Sequence, residues 1–195
     1  MSSKFLITGF EPFGEDNLNP TQLMLEWVQQ DPQLYSVFET QLLPVVYGAH
    51  EKVLARTDLD QFERIYCLGL AAGRSRISLE RVALNWIESS QPDNNGIVPQ
   101  RGAIEPKLPT ALFSSLDLEK IKDRLLSSNL PVEISLSAGG YVCNHLYFHL
   151  LNSSLRERTL FIHVPYLESQ VNTSSQPHAT ETQLKQLLHI LATDI

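Results

Sequence analysis

Short apolar runs of strand length alternate with stretches of helical period along most of this chain. Lys4–Gly9 (KFLITG) reads as a buried strand that stops at a glycine. A turn-rich loop with two aromatics, Phe10-Glu11-Pro12-Phe13-Gly14, follows it. Asn19-Pro20-Thr21 opens a helix: a capping residue precedes a proline suited to the first helical position. Leu23, Met24, Trp27 and Val28 then recur at helical spacing. Further strands are expected over Tyr35–Val46, Arg64–Leu70, Ile77–Trp86, Val132–Leu136 and Thr159–Val164. Helices are expected over His50–Leu59, Asp117–Ser127, Cys143–Leu155 and Thr180–Ala192. Gln91–Leu108 is rich in Pro, Gly, Asn and Asp and reads as a long loop, a length often tied to function.

Strands alternating with helices predict the α/β class: a three-layer α/β/α arrangement around a twisted, mostly parallel sheet. There is no internal repeat, low-complexity segment or interdomain linker, so residues 1–195 are expected to form a single domain. In such folds sites gather beyond the C-terminal ends of strands. Gly9–Gly14, Leu70–Arg74, Gly139–Cys143 and His163 all fall at predicted strand ends.

Charge and cysteine content narrow the partners. The 195 residues carry a formal net charge of −7, which makes nucleic acid a poor partner. No window approaches the ~20 apolar residues of a membrane span. The N-terminal apolar stretch is too short for a secretory signal, and Cys67 and Cys143 lack metal-type spacing; reduced thiols in the cytoplasm are expected.

Candidate chemistry centres on Ser137-Ala138-Gly139-Gly140-Tyr141-Val142-Cys143-Asn144-His145. Here a cysteine follows a Gly-Gly pair and begins a helix. The helix dipole favours a thiolate at that position. His163 ends an apolar strand and Glu80 interrupts another. A nucleophile, a base and a group that orients the base form a triad. The plainer alternatives are a buried structural cysteine, a hydrogen-bonded core histidine, and a Glu80 paired with Arg81 or Arg74 on a solvated face. His145 and His149 stand four apart on one helix, but without an HExxH pattern or a nearby third ligand no metal is expected. Phe10 and Phe13 either pack their own turn or line a slot for a flat, uncharged ring.

Taken together, ITGFEPFG (7–14), Asn19-Pro20, GLAAGRSRISLERVALN (69–85), PDNNG (92–96), SAGGYVCNHLYFHLL (137–151) and FIHVPYLESQ (161–170) resemble pyroglutamyl peptidase type I, or pyrrolidone-carboxylate peptidase. The resemblance implies a cysteine peptidase on an α/β/α fold, homotetrameric and without a cofactor, that removes N-terminal pyroglutamyl residues from peptides. It implies Cys143 as nucleophile, His163 as base and Glu80 as the group that orients it. Phe10, Phe13, Tyr141 and Val142 would contact the lactam ring. A pocket of aromatic faces suits a neutral lactam that has no free ammonium. The chain departs from the family's usual GQAGGR at Leu70 and Ala72, from GTFVCN at Gly140-Tyr141, and from a usual arginine at Ser90. A hydrolase of another small N-acyl amide, or a non-catalytic binding protein of the same fold, are the alternatives.

Overall fold

The computed structural model describes residues 5–193; Lys4, which the sequence pattern places in the first strand, lies outside them. Six strands form the central sheet: β1 (Phe5–Phe10), β2 (Phe38–Leu43), β3 (Arg64–Leu70), β4 (Ile77–Glu80), β7 (Val132–Ser135) and β8 (Thr159–Val164). Their order is β2-β1-β3-β8-β4-β7. The first four neighbours pair parallel, as do β4 and β7, whereas β4 runs antiparallel to β8. The sheet is therefore mixed but mostly parallel.

Side chains of successive strand residues point to opposite faces, and both faces are covered. Phe5, Ile7, Tyr66, Leu68, Leu160 and Ile162 join one core cluster. Helices α1 (Pro20–Gln30), α4 (Leu118–Ser127) and α6 (Glu181–Leu191) complete it through Met24, Val28, Ile121, Leu125 and Leu188. Leu6, Ile65, Cys67 and Phe161 point the other way. There they meet α3 (Ala49–Leu54) and α5 (Val142–Leu151) through Val53, Leu146, Tyr147 and Leu150. This is the predicted three-layer α/β/α arrangement.

Local chemistry explains the helix starts. Asn19 caps α1 by accepting from the Thr21 N–H, and Pro20 takes the first turn. Thr180 and Gln183 form a reciprocal capping box on α6.

Several boundaries differ from the pattern. Ile77–Trp86 is two strands: β4 stays in the main sheet, and β5 (Val82–Leu84) leaves to pair with β6 (Ala111–Phe113) in a small second sheet. A continuous apolar run cannot show such a change of partner. Tyr35–Val46 contracts to β2, and Asp31-Pro32 nucleates a short helix, α2 (Pro32–Tyr35), before it. The helix expected to Leu59 stops at Leu54, with a 3₁₀ turn at Leu59–Gln61, and α5 stops at Leu151 instead of Leu155. Because β4 and β7 are reversed, the Gly139–Cys143 segment does not simply follow a strand end at the same edge as Gly9, Leu70 and His163.

Candidate active site

Sheet register brings His163 and Glu80 together. Ser78 of β4 lies opposite His163 of β8. Glu80 is two residues further along β4, so its side chain shares that face and reaches His163 diagonally. His163 Nδ1 and Glu80 Oε1 are 2.7 Å apart. Against a carboxylate, Nδ1 carries the proton and donates, which leaves Nε2 with a free lone pair. Both residues are buried. Glu80 Oε1 also accepts from Arg74 Nη1 at 2.7 Å, and Arg74 Nη2 donates to the Ser137 carbonyl. Glu80 thus pairs with Arg74, as one plainer alternative had it, but as a buried group and not on a solvated face. Arg74 is missed as a site residue by sequence reasoning, although Arg74 ends the motif that follows β3.

Gly69 makes room for the thiol. It is the register partner of His163 on β3, so its Cα faces the same side of the sheet. A methyl group built there would lie 2.9 Å from the Phe161 ring and 3.0 Å from Cys143 Sγ. Cys143 therefore sits over the same patch of sheet as His163.

Two side chains and a Gly-Gly turn hold the start of α5 over that patch. Asn144, fully buried, accepts from the Leu84 N–H and donates to the Leu84 and Trp86 carbonyls. Tyr147 Oη donates to the Glu80 carbonyl at 2.9 Å. Gly139 has φ +87°, and a side chain at Gly140 would strike the Glu88 backbone at 2.8 Å, so the Gly-Gly pair serves both the turn and the close approach. Asn144 is a further positioning residue that sequence reasoning misses; its signal is a wholly polar side chain at an inward helix position.

Cys143 is the second residue of α5, where its N–H has no intrahelical acceptor. The helix start does not give it a low pKa, however. Desolvation, reinforced by the Glu80 charge and only partly offset by Arg74, pushes the thiol up to about 12. Burial thus opposes the thiolate that the helix start favours. His163 is lowered from its ordinary value, because burial outweighs the opposing pull of Glu80. A neutral imidazole beside a neutral thiol is a base and its proton source.

The pocket beside Cys143 is small, about 30 Å³, and lined by Phe10, Phe13, Val45, Leu70, Tyr141 and Val142, with Asn19 at its edge. All four aromatic and aliphatic residues expected to contact a ring are therefore there. The Phe13 and Tyr141 rings lie 6.1 Å apart, and Tyr47 meets Tyr141 edge-on at 5.8 Å. The loop after Gln91 braces this wall. The Pro92 carbonyl accepts from Tyr141 Oη at 2.8 Å, Asp93 accepts from the Tyr47 N–H, and Asn94 Nδ2 donates to the Pro12 carbonyl.

The sequence profile of the pyroglutamyl peptidase family matches residues 3–191. The chain belongs to the pyroglutamyl peptidase family. Its relatives include the pyrrolidone-carboxylate peptidase of Gloeobacter violaceus, 40% identical over 172 residues, covering 86% of this chain and 83% of that one. The enzyme of that name from Pyrococcus furiosus is 39% identical over 178 residues, with the same coverage of each. Among solved structures, pyroglutamyl peptidase I from Bacillus amyloliquefaciens superposes with a TM-score of 0.87 at 30% identity, covering 99% of this chain and 94% of that one. The pyrrolidone carboxyl peptidase of Fervidobacterium islandicum gives 0.85 at 31% identity and 98% coverage of both. These pyroglutamyl peptidases share the mixed sheet and its flanking helices with this chain. Membership in the pyroglutamyl peptidase family also fixes the class of chemistry, that of a cysteine omega peptidase.

At Ser90 the chain has no cation where the resemblance leads one to expect an arginine. Two nearby arginines are already engaged: Arg74 by Glu80, and Arg101 by Glu88 and the Trp86 ring.

Proposed function

We propose that Cys143, His163 and Glu80 release N-terminal pyroglutamyl residues from peptides by acyl transfer. The observation that carries the assignment is the His163–Glu80 hydrogen bond on the sheet face where Gly69 admits the Cys143 sulfur. Nε2 of His163 takes the thiol proton as Sγ attacks the pyroglutamyl carbonyl carbon. A C–S bond forms and the carbonyl oxygen becomes an oxyanion. The Cys143 N–H at the start of α5 faces that developing charge. The C–N bond then breaks, and the amine departs with the proton held by His163. Water, deprotonated by His163, hydrolyses the thioester, releasing 5-oxoproline and restoring the thiol. Glu80 fixes the tautomer and stabilises the imidazolium. Arg74 keeps Glu80 from turning away.

Phe10, Phe13, Tyr141 and Val142 form the wall against which the lactam ring packs. Leu70 also faces this pocket, where the resemblance leads one to expect glutamine, so a ligand with one fewer polar contact is favoured. A panel of N-acyl amides tests this point: pyroglutamyl amides should be cleaved fastest, and preference for a non-lactam acyl group would reassign the substrate.

Assembly and location are part of the same reading. Ile97, Val98, Trp86 and Phe113 are exposed apolar residues on the loop after Gln91 and the small sheet, which supports association of copies into the expected homotetramer. Light scattering on the purified chain checks it. Free thiols at Cys67 and Cys143 suit a reducing compartment such as the cytoplasm. No helix among the described residues is long and apolar enough to cross a membrane.

A further inference from the structure

A second cluster of chemistry-bearing side chains lies on the outer side of α5, away from the triad. His145 and His149 are four residues apart and so share one face of that helix. Helix α3 packs against α5 and contributes His50. The sequence pattern showed no third ligand for this pair; the fold supplies one from ninety-odd residues away. Ligand-capable nitrogens of the three residues all lie within 4.8 Å of one another. The His50 and His149 rings stack with centroids 3.7 Å apart and planes 8° apart, and the His145 ring lies 4.6 Å from His149 and 5.2 Å from His50.

All three are half-buried, and the cluster contains polar atoms without protein partners. His50 Nδ1 is buried with no hydrogen-bond partner among the described residues, and so is Tyr47 Oη, whose ring meets His145. Buried polar groups are ordinarily satisfied, and three apolar side chains would pack a helix–helix contact at less cost. The imidazoles are also ready to ligate. Desolvation and mutual repulsion take His145 down to about 3 and His149 to about 4. His50 is lowered by burial against the opposing charges of Glu51 and Glu105. Each ring is neutral at neutral pH, with a lone pair available.

We propose that His50, His145 and His149 form a three-histidine site for a divalent transition-metal ion of the Zn²⁺ class, which clamps α3 to α5. Three imidazole ligands select such ions over Mg²⁺ or Ca²⁺. At Zn–N distances of 2.0–2.1 Å, tetrahedral nitrogens stand about 3.3 Å apart. Binding therefore contracts the cluster by side-chain rotation and opens the stacked pair, because each lone pair lies in its ring plane. The fourth position remains for water. Tyr47 meets the His145 ring edge-on at 5.4 Å and Tyr141 at 5.8 Å, so one aromatic ring separates the ion from the substrate wall.

The test uses the full chain, free of any affinity tag and carrying Cys143→Ser, so that the thiol of the active site does not compete. Calorimetric titration with Zn²⁺ at pH 7.5 is expected to show one ion per chain with a Kd in the micromolar range or tighter. His50→Asn and His149→Asn should each weaken it by at least about thirtyfold, while His178→Asn, on a different loop, should not. Co²⁺ should give tetrahedral absorption bands without a sulfur-to-metal charge-transfer band, which excludes Cys67 as a ligand. A hundredfold excess of Zn²⁺ over Kd should raise Tm by about 5–10 °C, a readout available even if a histidine variant fails to fold. Binding no tighter than about 100 μM, or undiminished binding in the folded double variant His50→Asn/His149→Asn, would overturn the site.

Discussion

His163 and Glu80 project from neighbouring strands, whereas Phe13 and Tyr141 project from loops, and the two halves of the candidate site are secured by different means. On the strand side, ladder register sets the geometry: Ser78, Gly69 and His163 are paired across three strands, and the one hydrogen bond that matters is buried. On the loop side, single side chains reach to backbone carbonyls, such as Tyr141 to Pro92 and Asn94 to Pro12. Strand-borne groups are precise because moving one means moving a core strand. Loop-borne walls adapt, which fits a pocket of only about 30 Å³ that must widen to take a ring. Changes on the strand side should therefore alter kcat steeply, and changes on the loop side should alter KM mildly.

The largest effect expected from this contrast is at the base. His163→Gln keeps a polar side chain but no proton acceptor of suitable basicity, and kcat should fall by about 10³–10⁴ with KM nearly unchanged. Steady-state kinetics on a chromogenic pyroglutamyl amide measures it, and a KM-dominated loss would break the contrast.

Glu80→Gln should cost about 10²–10³ in kcat, since the imidazolium loses its counter-charge and the tautomer its control. It also carries a pH signature. Burial lowers His163 below its ordinary value of 6.5 while Glu80 pulls the other way. The acid limb of kcat/KM should therefore lie below pH 6.5 in the unaltered chain, because the base must be neutral. Removing Glu80's charge should shift that limb further down. An upward shift on Glu80→Gln would contradict the roles assigned here.

Gly69→Ala tests the strand side without replacing a reacting group. The added methyl meets the Phe161 ring and the Cys143 sulfur at about 3 Å, so stability should fall by about 1–3 kcal/mol and kcat by tenfold or more as the sulfur is displaced. Denaturant unfolding together with kinetics separates the two losses. The smallest effect is at the loop side. Tyr141→Phe removes only the bond to Pro92, and KM should rise by about two- to fivefold with kcat within twofold.

The layered α/β arrangement is legible because β1, β3 and β8 are mostly apolar runs and α1, α4 and α6 carry side-chain caps. His163 and Glu80 stand out as polar residues in apolar strands, and Cys143 as a thiol that follows a Gly-Gly pair at a helix start. What stayed hidden depended on long-range partners. Nothing local in Ile77–Trp86 shows that Arg81 is where the chain leaves one sheet for another. The burial of the Arg74–Glu80 pair, the clamp of Asn144 on β5, and the approach of His50 to His145 and His149 all arise from tertiary packing. For the cysteine's protonation, the helix dipole is local and visible in sequence, whereas desolvation by the surrounding sheet is not.

The most direct test compares the unaltered chain with Cys143→Ala on a chromogenic pyroglutamyl amide at neutral pH. The unaltered chain should release the amine, and Cys143→Ala, with its fold confirmed by circular dichroism, should fall by on the order of 10⁴-fold or more to background. Amine release that persists in Cys143→Ala would contradict acyl transfer through this cysteine.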